Sequence, residues 1–148
     1  MKQINLTLLF SFLLTTFSFA QEKPVNPFLG IWELGLSVYN GQNATNPQIT
    51  QLKEYRADST FNAYIIVPGD RRSVQTMAGT YSIQGDSVYT ETIVKATNTG
   101  LIGDSYTIVF YREGDQLRLK GNVEMVNPSG NNTKVFYNER WDRLDFPE

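Results

Sequence analysis

The stretch FLGIWEL, residues Phe28–Leu34, poses the problem that decides the fold. It places a Gly and a Trp two apart where an alternating pattern begins. An indole carries too much apolar surface to leave in water, so something else in the chain must cover it. Gly30 lets the chain turn tightly into the run that starts there. That run has a period of two. Trp32, Leu34, Leu36 and Val38 share one face, and Glu33 and Ser37 share the other, as in a strand with one buried side.

The same signal recurs along the chain. Short runs rich in Val, Ile, Thr, Tyr and Phe are separated by Gly, Asn, Asp and Pro, with no heptads and no sustained helical period. Eight strands are predicted, over Gly30–Tyr39, Ile49–Arg56, Ser59–Val67, Thr76–Gln84, Ser87–Ala96, Ser105–Glu113, Gln116–Val126 and Thr133–Leu144. NPFLG before the first of them is compatible with one helical turn, and no other stretch argues for helix. The even-numbered connections are tight: Ala57–Asp58, Gly85–Asp86 and Gly114–Asp115 carry hairpin chemistry. The odd-numbered ones are long: Asn40–Pro47, Pro68–Gln75, Thr97–Gly103 and Asn127–Asn132. In an up-and-down meander the two sets lie at opposite ends. The prediction is therefore an all-β, eight-stranded antiparallel up-and-down barrel, sealed at one end and fringed with loops at the other. A two-sheet sandwich with uneven loops is the alternative.

Inner faces come from the same period. Leu117, Leu119, Gly121, Val123 and Met125 form one, and Phe61, Ala63, Ile65 and Val67 another. Met77, Gly79, Tyr81 and Ile83 form a third, and Tyr106, Ile108 and Phe110 a fourth. Three strands put polar groups on the inner face: Gln51, Lys53 and Tyr55; Tyr89, Glu91, Ile93 and Lys95; Val135, Tyr137, Glu139, Trp141 and Arg143. Unpaired burial of such groups costs several kcal/mol each, so a purely structural core rarely holds them. Two readings remain. A flipped register would leave these charges in water. A partly wet cavity would keep Lys53, Glu91, Glu139 and Arg143 inside, balanced in sign.

Composition bounds the chemistry. The 148 residues include no His and no Cys, and the net charge is -2. That disfavours a zinc site, a histidine base and a nucleic-acid partner, and leaves an exported domain without disulfides. The first twenty residues read as a signal peptide: Lys2, an apolar run from Leu6 to Phe19, and small residues Ser18 and Ala20 before the cut. A membrane anchor is the alternative, but the run is shorter than the roughly 20 residues of a span. No Cys follows Ala20 to take a lipid. The expectation is one domain, 21–148, in the periplasm or outside the cell, without a lipid anchor. Nothing in the sequence specifies an oligomer.

Gly30-Ile31-Trp32 with Arg143 near the end resembles the lipocalin (calycin) pattern. That resemblance implies a Gly-x-Trp opening the first strand and a late basic residue closing the floor over the indole. Arg143 is the choice here because it shares parity with Trp141; Arg140 is the alternative. A guanidinium on a desolvated indole face is worth about 1–2 kcal/mol. Gly79-Thr80-Tyr81, Tyr89 with Glu91, and Glu139, Trp141 and Arg143 look like the motifs of small exported lipocalin-like domains of uncharacterised function in Gram-negative bacteria. The chain departs from many lipocalins in having no Cys and no room for a helix after the barrel, so no lipocalin's ligand carries over.

The function expected is the binding of a small, partly apolar molecule of unknown identity. Lys53, Tyr55, Phe61, Tyr81, Tyr89, Glu91, Tyr106, Glu139 and Trp141 would line the site, above a floor of Gly30, Trp32 and Arg143. Lys53 and Arg143 would suit a carboxylate; Glu91 and Glu139 would accept protons from a hydroxyl or amine. No cofactor, metal or catalytic residue is expected. A filled barrel acting through loops, with Arg71 and Arg72 at a tip, is the alternative. A hydrolase built on Glu91 and Glu139 is a third reading, needing the two carboxylates about 5–10 Å apart.

Overall fold

The computed structural model describes residues 26–69, 72–126 and 131–145. The stretch read as a signal peptide and Arg71 lie outside the described residues. Nine strands run in chain order: β1 Gly30–Tyr39, β2 Gln42–Asn43, β3 Thr50–Tyr55, β4 Thr60–Ile66, β5 Ser73–Gln84, β6 Val88–Ala96, β7 Ser105–Glu113, β8 Gln116–Val126 and β9 Asn132–Arg143. From β3 to β9 each strand pairs antiparallel with the next, and β1 pairs with both β3 and β9. The eight long strands thus close into an antiparallel barrel.

β2 is an addition to the expected set. It folds back on β1, with Tyr39 opposite Gln42, through Asn40 at φ 50° and Gly41 at φ 81°. Two positive φ values in a two-residue loop are what an Asn-Gly hairpin turn requires. A second addition is a 3₁₀ turn at Thr99–Leu101, started by Asn98, whose side chain accepts from the Gly100 amide. The NPFLG segment makes a turn, with the Phe28 amide donating to the Asn26 side chain.

The barrel is sealed as the loop lengths require. Trp32 is fully buried, and its indole N–H donates to the Phe28 carbonyl at 2.6 Å. Phe28 is the other half of the plug. Its ring stacks on Tyr89 at 4.6 Å and meets Tyr55 and Phe110 edge-on at 5.1 and 4.8 Å. Tyr81, Leu117 and Leu119 complete this solid lower half. Two guanidinium groups cover the indole: Arg143 at 6.0 Å and Arg112 at 5.7 Å from its ring. Arg140 is elsewhere, paired with Asp142 at 3.3 Å.

Bulges correct the expected parity in two places, on β1 and β6, and a third lies on β5. On β1 the register passes from Leu34 opposite Trp141 to Leu36 opposite Arg140, skipping Gly35. Beyond the bulge the strand is inverted, so Ser37 is 2% exposed and Leu36 and Val38 are half-buried on the outer side. A Cβ on Gly35 would lie 2.1 Å from Asp142 Oδ2, so a side chain there would have to displace the Asp142 and Arg140 side chains. On β6 the skipped residue is Val94, which turns Lys95 out into solvent and lets Ala96 pack on the core. On β5 it is Thr76. Val67, expected inside, lies past the end of β4 and is exposed.

Candidate functional site

Above the aromatic floor, towards the long loops, the barrel encloses a cavity of about 170 Å³. The flipped-register reading fails here. Lys53 and Glu91 are each 5% exposed and Glu139 is 4% exposed, and all three line the cavity. Lys53 comes from β3, Glu91 from β6 and Glu139 from β9, each at an inward position of the alternation.

Lys53 Nζ lies 2.5 Å from Glu91 Oε2. The same oxygen receives the Tyr89 hydroxyl, and Tyr89 and Tyr55 hydroxyls meet at 3.2 Å. The ammonium also lies over the Phe61 and Trp141 rings, at 5.2 and 5.6 Å. Burial alone would lower the Lys53 pKa; the charge of Glu91, with Tyr55 and Glu139 behind it, reverses this and holds it above the ordinary value. The lysine is therefore a fixed cation.

Glu139 is held differently. Its Oε1 accepts from the Tyr39 hydroxyl at 3.0 Å and, at the 3.5 Å limit, from Ser37. Its Oε2 accepts from the Trp141 indole N–H at 2.7 Å and from the Tyr137 hydroxyl. Desolvation raises its pKa above the usual carboxylate value, opposed by Lys53 and by the donors from Tyr137, Tyr39 and Trp141. The tyrosines answer in kind. Burial, then the Glu139 charge, pushes Tyr39 up to about 12, and the same pair of causes raises Tyr137 well above its ordinary value.

Of the residues expected to line the site, Lys53, Tyr89, Glu91, Tyr106, Glu139 and Trp141 do so. Tyr55, Phe61 and Tyr81 lie among the buried floor residues and do not reach the cavity. Gly30, Trp32 and Arg143 sit together at the sealed end, so Arg143 is not available to hold a ligand in the cavity. Gly30 has φ 122°, a conformation that only glycine adopts readily. Sequence reading missed Tyr39, which the β1 bulge turns inward, and left out Tyr137, Met77 and Val123, whose inner parity was already legible. The isolated Gly35 inside the alternating run was the available signal for the bulge. Among the described residues no cluster of three or more acidic side chains is placed to hold a metal, and no helix is long and apolar enough to cross a membrane.

No curated protein matches the chain. A family described as a domain of unknown function, DUF4488, matches it over residues 27–148. That span takes in the Phe28–Trp32 plug, every strand, and the Lys53, Glu91 and Glu139 positions, and the chain belongs to the DUF4488 family.

Proposed function

We propose that this is an exported, lipocalin-like binding protein that holds a small, partly apolar molecule in the upper half of its barrel. The observation that carries the reading is the buried Lys53–Glu91 pair with Glu139 beside a cavity. Buried ion pairs are often no more stabilising than apolar residues of the same volume, so stability alone gives little reason to keep three charges inside a barrel. A site that must orient a polar group on a ligand gives one. The volume sets the scale. A dry cavity of about 150 Å³ takes benzene, whereas drug-sized ligands occupy roughly 300–1,000 Å³. At about 170 Å³ the cavity suits a molecule of one ring or a short chain.

Export rests on the apolar run and small residues before Gln21, and the lipocalin likeness on the Gly30–Trp32 opening with Arg143 over the indole. Binding is favoured over turnover because both carboxylates are already engaged: Glu91 by Lys53 and Tyr89, Glu139 by four donors. A detected hydrolysis that Glu91→Gln abolishes would reverse that preference. A barrel that is filler for functional loops is supported by the solid packing of Trp32, Tyr55, Tyr81 and Phe110 below the cavity. Native mass spectrometry on protein purified from its own host separates the two. A co-purifying small molecule, released on unfolding, is the expected result. A bare chain whose melting temperature no small molecule raises would favour the loops.

A further inference from the structure

We propose that the molecule taken by the cavity is a small organic monocation, an amine of single-ring size, with its ammonium at Glu139 Oε1. The inference rests on the binding reading above and names its ligand class.

Charge count is the first argument. Lys53 is the one basic side chain lining the cavity among the described residues, against two carboxylates, Glu91 and Glu139. Lys53 is committed to Glu91 at 2.5 Å. Glu139 makes no ion pair among the described residues and has only neutral donors. With all three ionised, the cavity carries one uncompensated negative charge at low dielectric, where such a charge is costly.

Geometry says where compensation goes. An indole N–H can only donate, so Trp141 fixes Oε2 of Glu139 as an acceptor. Oε2 already takes Trp141 and Tyr137, whereas Oε1 holds Tyr39 at 3.0 Å and only a 3.5 Å contact from Ser37, so Oε1 is the less tightly engaged oxygen. Burial raises the pKa of Glu139, against the pull of Lys53 and its hydroxyl and indole donors. A ligand ammonium supplies positive charge at that oxygen in place of the Ser37 contact, the longest on Oε1 at 3.5 Å. Tyr39, the closer donor at that oxygen, is 37% exposed. Its ring stacks on Tyr137 at 5.6 Å, and electron-rich faces beside a carboxylate favour a cation further. The ring of the ligand would lie against Met77, Tyr106 and Val123. An anionic ligand would add a second uncompensated charge and find the lysine already taken.

Calorimetric titration at neutral pH with three probes of one shape tests this: benzylamine, benzyl alcohol and benzoate. Benzylamine should bind at least about tenfold more tightly than benzyl alcohol, with benzoate weakest. Glu139→Gln removes the charge and keeps the shape, and should erase most of that preference. Glu91→Gln also brings the cavity to neutrality, by a different carboxylate, and should do the same should Glu139→Gln fail to fold. Equal or tighter binding of benzyl alcohol or benzoate, or an amine preference that survives in the folded variants, overturns the amine assignment and leaves the binding site standing. No binding of any of the three also overturns the amine assignment, and the mass-spectrometry result then decides the binding reading separately.

Discussion

Trp32 and Arg143 are direct partners across β1 and β9, and the Arg143 guanidinium lies 6.0 Å from the indole it covers. The first strand and the last meet at this pair, so one contact both closes the sheet and seals its end. Arg112, from β7, reaches the same indole at 5.7 Å while its Nε donates to the Gly114 carbonyl at 2.8 Å.

Two cations over one indole share the work. Arg143→Met is expected to cost about 1 kcal/mol in urea unfolding, since the ring stays covered by Arg112. Trp32→Ala removes the plug and is expected to cost about 3–5 kcal/mol. An Arg143→Met loss as large as that of Trp32→Ala would mean that the arginine does more than cover the ring.

Breaking the buried pair on one side strands a charge. Among the described residues, Lys53→Met leaves Glu91 with only the Tyr89 hydroxyl, and it is expected to cost about 3–5 kcal/mol. Lys53→Met combined with Glu91→Gln is expected to recover most of that loss. A double variant as unstable as the single one would show that the pair is not the cause.

Glycines at close approaches are expected to resist substitution. A Cβ on Gly79 would lie 2.0 Å from the Thr92 carbonyl oxygen, which is backbone and cannot swing aside. At Gly35 the nearest atoms belong to the Asp142 and Arg140 side chains. Gly79→Ala is therefore expected to lose more stability than Gly35→Ala, with about 1–3 kcal/mol as the ordinary range for such overpacking. Chemical denaturation of both variants checks the order.

Stability should fall as the solution turns alkaline. Tyr39 is raised to about 12, and Tyr55, Tyr89 and Tyr137 are raised as well, chiefly by burial. Raised folded pKa values mean that the folded chain holds protons the unfolded chain releases. Their contribution is complete below the ordinary tyrosine value of about 10 and is lost above it. Glu139, also raised, acts with the same sign at lower pH: its share is full below the usual carboxylate range and declines as pH rises through its folded value. Tyrosinate absorbance should appear together with loss of the β-sheet circular dichroism signal. Ionisation of all the tyrosines while the sheet signal stays intact would contradict this.

The barrel was legible because alternation, loop lengths and the Trp32 opening all pointed the same way. Strand ends agree within a few residues, and the six cavity residues read from the sequence lie on strands where parity runs unbroken to the site. Legibility stopped at the bulges. One skipped residue at Gly35 exchanges Leu36 and Val38 for Ser37 and Tyr39, and one at Val94 expels Lys95. Period-two counting has no term for an inserted residue. The Asn40–Gly41 hairpin was visible as a dipeptide but lay inside a stretch read as loop. Phe28 precedes the first strand, so no period assigned it, and the plug it forms comes from tertiary packing alone.

The claim on which the functional account turns is that the space above the Trp32 floor admits a guest beside Glu139. A crystal structure of the protein grown with benzylamine tests it most directly. The account predicts density for one ring in contact with Met77 and Tyr106, with its nitrogen at Glu139 Oε1. A collapsed interior in which side chains fill that space, or a guest bound on the outer face of the barrel, would contradict it.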